Sequence, residues 1–485
     1  MDDEILLRVV SPKLQYIGRS LATPHPFAVK RGRTHIIFGE NGAGKSTLAR
    51  VLERGWNIGM NRIEGDRDTL NIKYIEFSDI HTLTGCPDSY YQQRFESTAS
   101  DGIPIIGDII KDRFSPERWN QLCRQLSIAD ILDKRVNYLS SGELRKFLLI
   151  NLFAGSSERD AKTPDILIVD NPYIGLDTAS RQLLDDMLAS LARGGTALVL
   201  LLCDTADIPP YADELLPVKD MHVGEMTPAT ADNISRLDDL FEPKGGLDLM
   251  PDTSLKEPID FTTAFELDHC VVRYGPSVIL DDVSWRVEAG ERWALLGENG
   301  SGKSTLLSLV SADNPQSYSN RVTIFDRRRG TGESIWDIKR RIGYISAEMH
   351  LYFDTADDVA TVVANGLRDT VGCFGRVDEA MASRATQWLR ALGIEHLADK
   401  PLRALSSGEQ RLALIARTLI KPVPLLILDE PLHGLDQCRK SLVTTMIGRM
   451  MDNCPGRAMV YVTHYEREIP PAVTRIFRLP RPGSR

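Results

Sequence analysis

A nine-residue phrase occurs twice in this chain and fixes what it can fold into. Gly39-Glu-Asn-Gly-Ala-Gly-Lys45-Ser46-Thr47 returns as Gly297-Glu-Asn-Gly-Ser-Gly-Lys303-Ser304-Thr305, and only Ala43 against Ser301 differs. Each copy follows an apolar run, Ile36-Ile-Phe38 or Trp293-Ala-Leu-Leu296, that reads as a buried strand. Each leads into a stretch with the pattern of a helix start, Leu48 onward or Leu306 onward. Strand, glycine loop and helix form the context in which this spacing holds phosphate. Gly39, Gly42 and Gly44, with Asn41, and Gly297, Gly300 and Gly302, with Asn299, let backbone N–H groups crowd an anion with no Cβ in the way. The helix N-terminus adds its positive end. Lys45 and Lys303 are spaced to reach β- and γ-phosphates, and the Ser46 and Ser304 hydroxyls, beside Thr47 and Thr305, to ligate Mg²⁺.

An internal repeat sets architecture, and 485 residues accommodate two domains of about 200 residues each. The expected boundaries are 1–210 for the first domain, 211–260 for a linker, 261–477 for the second domain and 478–485 for a tail. The linker expectation rests on composition: residues 210–260 carry 12 Asp/Glu and 4 Lys/Arg with repeated Pro and Gly. Within it, Ile234–Phe241 reads as one short helix.

At 42% hydrophobic and 26% charged residues the chain has a soluble globular profile. Its apolar runs, such as Ala197–Cys203, are strand-length, below the roughly 18 residues of a membrane span. The acidic start, Met1-Asp-Asp-Glu, lacks the basic region of a signal peptide. Seven scattered cysteines with no Cys-x-x-Cys pair argue against zinc or a disulfide framework and suit a cytoplasmic location. A net charge of −9 argues against nucleic acid as a partner, and Arg327-Arg-Arg329 reads as a solvated turn.

Further pairs recur downstream of each loop. Ser140-Ser141-Gly142-Glu143 and Ser406-Ser407-Gly408-Glu409 each precede an apolar helical pattern. A serine followed three residues on by glutamate is a capping box, and a helix start with an adjacent glycine is a second anion site. Asp170 and Asp429 end apolar runs that read as buried strands, where a carboxylate can hold Mg²⁺ through water. The next residue separates the halves. Glu430 can act as base toward a water attacking the γ-phosphate, whereas Asn171 cannot accept a proton. Seven residues after those strand-end aspartates stand Asp177 and Asp436. Aligning the Ile-Pro pairs 208–209 and 469–470 sets Cys203 opposite His464. A histidine there can hydrogen-bond the γ-phosphate, and a cysteine substitutes poorly. Tyr274, upstream of the second loop, reads as an aromatic that stacks on a base; Tyr16, its counterpart, reads as a strand tyrosine. Gln92 and Gln93 compete for a place at the metal or the attacking water.

Together these motifs resemble the ATP-binding-cassette ATPase superfamily, over nearly the whole chain. The narrower resemblance is to ModF-type tandem cassettes, through Tyr91–Ser97, Ser140–Lys146, Tyr318–Asn320, Glu333–Lys339 and Gln410–Ala416. The resemblance implies an α/β fold: two P-loop NTPase cassettes in one chain, each a mixed-sheet RecA-like core with a β subdomain and a helical subdomain. It implies ATP and Mg²⁺ as ligands and ATP hydrolysis as the reaction. Nucleotide would lie between one half's phosphate loop and the other half's signature. The second site would then comprise Lys303, Ser304, Asp429, Glu430 and His464 with Ser140–Glu143, and would hydrolyse. The first would comprise Lys45, Ser46 and Asp170 with Ser406–Glu409, and would mainly bind. Ser346-Ala347-Glu348 stand where the family carries a glutamine that senses membrane partners. Integral-membrane transporter subunits are the implied partners, with the membrane touched only through them. A soluble tandem cassette acting on ribosomes or DNA, or a nucleotide-driven regulatory clamp, stays open as the alternative.

Overall fold

The structure is a computed structural model and describes residues 4–56, 59, 61–66, 69–76, 105–110, 132–134, 164–173, 176, 178–240, 250–255, 257–275, 277–298, 300–346, 349, 353, 356–368 and 376–480. The chain forms two compact units that divide between residues 242 and 243, with the turn 434–437 grouped with the first.

In the first unit the strands are β1 (Ile5–Val9), β2 (Lys13–Tyr16), β3 (Arg19–Ala22), β4 (Phe27–Lys30), β5 (Thr34–Phe38), β6 (Ile63–Gly65), β7 (Ile72–Glu76), β8 (Ile166–Asp170), β9 (Ala197–Leu202), β10 (Glu214–Lys219), β11 (His222–Val223) and β12 (Thr227–Pro228). The helices are α1 (Lys45–Arg54), α2 (Ile106–Ile110), α3 (Thr178–Arg193) and α4 (Ala231–Leu240). Strands β10-β5-β9-β8-β7 lie side by side in that order, each pair parallel. β1 pairs antiparallel with β4 and β6 in a separate layer.

The second unit repeats the plan. Its strands are β13 (Thr263–Tyr274), β14 (Ser277–Glu288), β15 (Arg292–Leu296), β16 (Arg321–Ile324), β17 (Arg327–Arg328), β18 (Ile342–Ile345), β19 (Leu425–Asp429), β20 (Ala458–Val462) and β21 (Arg475–Arg478). Its helices are α5 (Lys303–Val310), α6 (Ile335–Lys339), α7 (Val359–Ala364), α8 (Glu379–Ala391), α9 (Ser407–Leu419) and α10 (Gln437–Asp452). The parallel order β21-β15-β20-β19-β18 matches that of the first unit strand for strand. An antiparallel sheet, β14-β13-β16-β17, forms the β subdomain, and α7, α8 and α9 pack together as the helical one.

The central strands read as unbroken apolar runs because both of their faces are covered. All five residues of β5, β8, β19 and β20 are buried. Leu48, Val51 and Leu52 of α1 join Ile37, Ile168 and Val199 in one core. Leu306, Leu307 and Val310 of α5 join Leu295, Ile427 and Val460 in the other. Each phosphate loop is thereby fixed at the end of a central strand.

Two sequence boundaries shift. The stretch expected as linker from 211 carries β10, whose Leu215, Leu216 and Val218 are buried and which hydrogen-bonds β5 along its length. Charged residues flank this strand and mask it in a composition count. The short helix expected at 234–241 is α4, again within the first unit. At the other end, β21 runs to Arg478 and Leu479 is buried, so the chain is still packed where a tail was expected.

The segment around Thr253 is fastened to the second unit by Arg457. This side chain is fully buried and donates to Val423 O (3.0 Å), Met450 O (3.0 Å) and Thr253 O (2.6 Å). Burial holds its pKa below the usual arginine value. Arg457→Met leaves three buried carbonyls without donors, each worth about 1–3 kcal/mol. Thermal unfolding of the full chain should therefore show a destabilised transition, whereas an exposed arginine such as Arg403 changed to Met should leave it in place.

In the first unit, Glu214 is held down at about 2 by its hydrogen bond to His35, against the cost of burial, with help from Lys30 at 2.8 Å. A depressed carboxyl stabilises the fold above its unfolded pKa and loses that contribution as pH falls toward 2. Glu214→Gln should therefore flatten the acid side of the melting-temperature profile between pH 4.5 and about 2.

Candidate functional site

The two loops close in the same way. Gly44 and Gly302 cap α1 and α5 in the left-handed region, at φ 111° and 95°. A Cβ on Gly302 would meet Leu280 Cδ2 at 2.8 Å and Ile279 O at 2.9 Å. Lys45 Nζ donates to Gly39 O (2.7 Å) and Glu40 O (2.9 Å), and Lys303 Nζ to Gly297 O (2.7 Å) and Glu298 O (2.9 Å). Both lysines are buried. A buried ammonium seated on neutral carbonyls at a helix N-terminus leaves net positive potential in the loop, which suits a polyphosphate. The Ser301 hydroxyl adds an orphan: it is 1% exposed and makes no hydrogen bond.

Beside each loop a strand ends in a buried aspartate. Asp170 Oδ2 accepts from Ser46 Oγ (2.7 Å) and Tyr74 OH (3.0 Å), and Oδ1 from Asn171 Nδ2 (3.0 Å). A serine hydroxyl and a carboxylate thus converge beside the loop, a donor set that would suit a hard cation such as Mg²⁺. Asp429 holds the equivalent place at the end of β19.

Asn171 and Glu430 share a rare backbone state, both at φ 48°. Each donates its N–H to the neighbouring strand, Asn171 to Leu201 O (3.1 Å) and Glu430 to Val462 O (3.0 Å). This matched register places Cys203 and His464 in equivalent positions. Their chemistry diverges. His464 Nε2 forms a short contact with Glu430 Oε1, while its Nδ1 lies 3.1 Å from Gly297 O and 3.4 Å from Lys303 Nζ. Burial acts to raise the Glu430 pKa, but the His464 bond and the charges of His464, His433 and Lys303 outweigh it and hold the carboxyl well below its usual range. In the first unit Cys203 Sγ lies 3.8 Å from Asn171 Oδ1.

The ABC transporter family profile matches residues 23–173 and 280–433, which take in both loops and both strand-end aspartates. The chain belongs to the ABC transporter family. It is 36% identical over 462 residues to the ABC transporter ATP-binding protein ModF of Escherichia coli K12, covering 91% of this chain and 90% of that protein. An uncharacterized ABC transporter ATP-binding protein of Schizosaccharomyces pombe is 25% identical, with 93% and 92% covered. Among solved structures, RNase-L Inhibitor superposes with a TM-score of 0.55 at 17% identity over 96% of this chain and 87% of that one. An archaeal ribosome recycling factor, aABCE1, in complex with the ribosomal stalk protein aP1, also gives 0.55 at 17% identity, over 96% and 86%. The profile match in both halves and the likeness to ModF establish a tandem ATP-binding cassette protein of ModF type, and the two solved structures share its fold.

Within the cassettes, Lys303, Ser304, Asp429, Glu430 and His464 fall in one unit, as do Lys45, Ser46, Asp170, Asn171 and Cys203 in the other. The Ser406–Glu409 signature is a capping box, with Glu409 Oε2 accepting from Ser406 N (2.9 Å) and Oγ (2.6 Å). Its counterpart Ser140–Glu143 lies outside the described residues, as do Asn299, Asp177 and Gln92–Gln93. Tyr274 ends β13 half-buried, and its hydroxyl accepts from Asn314 Nδ2 (3.0 Å).

Sequence reasoning assigned no role to Arg411, Tyr74, His433 or Glu76. Arg411, one turn into α9, donates to Ser346 O (2.5 Å), Pro431 O (3.2 Å), Asp429 O (3.2 Å) and Glu430 O (2.6 Å), and burial lowers its pKa to about 10. It ties the signature helix to the strand end that presents Glu430. Tyr74 is a second donor to Asp170. His433 Nδ1 lies 4.0 Å from Glu430 Oε2. Finally, the backbone pairs Glu76 with Asp170, and Ser346 follows Ile345 at the same register beside Asp429. Glu76 and Ser346 are therefore the matched strand-end residues.

Isothermal titration with a non-hydrolysable ATP analogue should count one nucleotide fewer per chain for Gly302→Ala than for the unaltered protein. A left-handed alanine costs about 1–2 kcal/mol before any clash, so unchanged stoichiometry and affinity would refute the loop assignment.

Proposed function

We propose that this protein is a Mg²⁺-dependent ATPase in which the second cassette hydrolyses ATP and the first binds it with little turnover. The observation that carries the reading is the contrast at matched register: Glu430 with His464 in one cassette, Asn171 with Cys203 in the other. The reaction is ATP and water to ADP and phosphate. Gly297–Thr305 cradles the triphosphate, with Lys303 turning its ammonium from loop carbonyls to phosphate oxygens. Glu430, ionised and held by His464, accepts the proton of the attacking water. His464 orients that carboxylate and hydrogen-bonds the γ-phosphate. Ser304 and Asp429, and in the first cassette Ser46 and Asp170, would hold Mg²⁺, which would neutralise phosphate charge when bound. Both Ser-Ser-Gly-Glu turns, at 140–143 and 406–409, are assigned to nucleotide contact, and Tyr274 to the adenine.

The work done by hydrolysis is assigned to transport. Similarity to proteins named ABC transporter ATP-binding proteins supports it. No described helix is long and apolar enough to cross a membrane, so membrane subunits would be separate chains and this one would sit on the cytoplasmic face through them. The second reading is a soluble cassette pair serving as a switch, and the fold likeness to an archaeal ribosome recycling factor favours it.

Steady-state phosphate release tests the catalytic assignment. Glu430→Gln should lower turnover by about 10²-fold or more, the scale of a lost general base, with nucleotide binding retained. Asn171→Ala should keep most of the rate. Equal losses in the two variants would sink the asymmetric reading. Co-purification with an integral-membrane subunit separates the transport reading from the soluble one.

A further inference from the structure

One surface of the second unit is out of character with an acidic chain. The protein carries a net charge of −9, yet residues 318–341 hold Arg321, Arg327, Arg328, Arg329, Lys339, Arg340 and Arg341 against Asp326, Glu333 and Asp337. The structure shows which charges are committed. Arg329 is buried and pairs with Glu333 at 2.7 Å, Lys339 with Asp313 at 2.5 Å, Arg341 with Asp260, and Arg321 with Asp268 at 3.3 Å. The segment's own acids are held in place by backbone N–H groups. Asp326 accepts from the Thr262 and Thr263 N–H groups, Glu333 from those of Gly330 and Thr331, and Asp337 from that of Ser334. Arg327, Arg328 and Arg340 stay exposed with no ion pair among the described residues.

Large aromatic side chains stand in the same segment. Tyr318 is 54% exposed and Trp336 is 60% exposed. One face of Tyr318 is covered by the Arg329 guanidinium at 4.6 Å. The Arg329–Glu333 pair connects that ring to the turn in which Ser334 caps α6, and Ser334 Oγ accepts from Trp336 N at 3.2 Å. Buried contacts thus anchor the segment while its aromatic faces point outward. Gly332, at φ 107°, leaves open space where a Cβ would stand.

Exposed guanidinium groups without an ion pair call for an anionic partner, and uncovered aromatic faces for planar ones. Single-stranded nucleic acid supplies both along one strand, since every base has a stacking face and every linkage a phosphate. An acidic peptide would satisfy the arginines and leave Trp336 without a partner. We propose that Tyr318 and Trp336, with Arg327, Arg328 and Arg340, form a binding surface for single-stranded nucleic acid. The bulk acidity of the chain conceals it from a net-charge argument, and nothing in it overlaps the phosphate loops.

The full-length protein, titrated against a fluorescein-labelled 12-mer of oligouridylate, should bind with an affinity that falls as salt rises. Trp336→Ala should weaken binding about tenfold or more, the scale of one lost stacked base. The Arg327→Ala/Arg328→Ala double variant should weaken it similarly and reduce the salt slope by about 2. Both variants should retain ATP binding, which guards against misfolding. The proposal is overturned if the oligonucleotide does not bind, if neither variant changes its affinity, or if polyglutamate of equal charge or anionic vesicles bind as tightly through the same residues.

Discussion

A lysine ammonium buried against backbone carbonyls is the interaction on which the rest of each unit depends. Its hydrogen bonds to two loop carbonyls are set against the cost of taking a cation out of water. It persists because the parallel sheet and the following helix hold the loop in place around it, with Gly44 or Gly302 in a conformation other residues resist. Lys45 and Lys303 make the same pair of bonds to the same pair of positions. The matching of strand order in the two sheets follows from that requirement. A loop fixed between a central strand and a helix needs its strand neighbours buried on both faces.

The units differ where the chemistry would be done. In the second, Glu430, His464, His433 and Lys303 form one charged cluster, pinned from behind by Arg411 on four carbonyls. In the first, the same backbone frame carries neutral groups: Asn171 turns its amide to Asp170, Tyr74 adds a hydroxyl, and Cys203 offers a weak thiol. The strand-end turn there is also braced from the other side, with Asp185 accepting from the hydroxyls of Tyr173 (2.5 Å) and Tyr211 (2.9 Å). Burial and that carboxylate raise both phenols far above the range in which they ionise. At the position where the second unit holds an ionised carboxylate, the first holds a neutral amide.

Much of this was legible in the sequence because phosphate chemistry compresses into short, local spacing. The loops, the strand-end aspartates and the contrast of Asn171 with Glu430 need only residue type and adjacency. What escaped depends on contacts across the sheet. Arg411 carries no local sign that its guanidinium will span four carbonyls between 346 and 431. The equivalence of Glu76 and Ser346 is set by strand pairing, and Gln92 and Gln93 drew attention away from it. β10 was hidden by its charged ends, since the composition that marks a connector also marks a strand that packs on one short apolar stretch. The expectation of a solvated turn at Arg327–Arg329 averaged over residues that the fold separates, with Arg329 buried and its two neighbours exposed.

The shared left-handed backbone at Asn171 and Glu430 bears on how such a pair of cassettes can change over time. Asparagine tolerates this conformation well, so the first unit sits comfortably in its present form. Introducing a glutamate there alone would place a carboxylate beside a thiol that cannot steady it, and introducing a histidine at 203 alone would leave that ring facing an amide. Only the two together recreate the Glu430–His464 contact of the other unit. Recovering the second unit's pair in the first therefore takes a coordinated change at 171 and 203, at the ends of two strands that meet through the sheet.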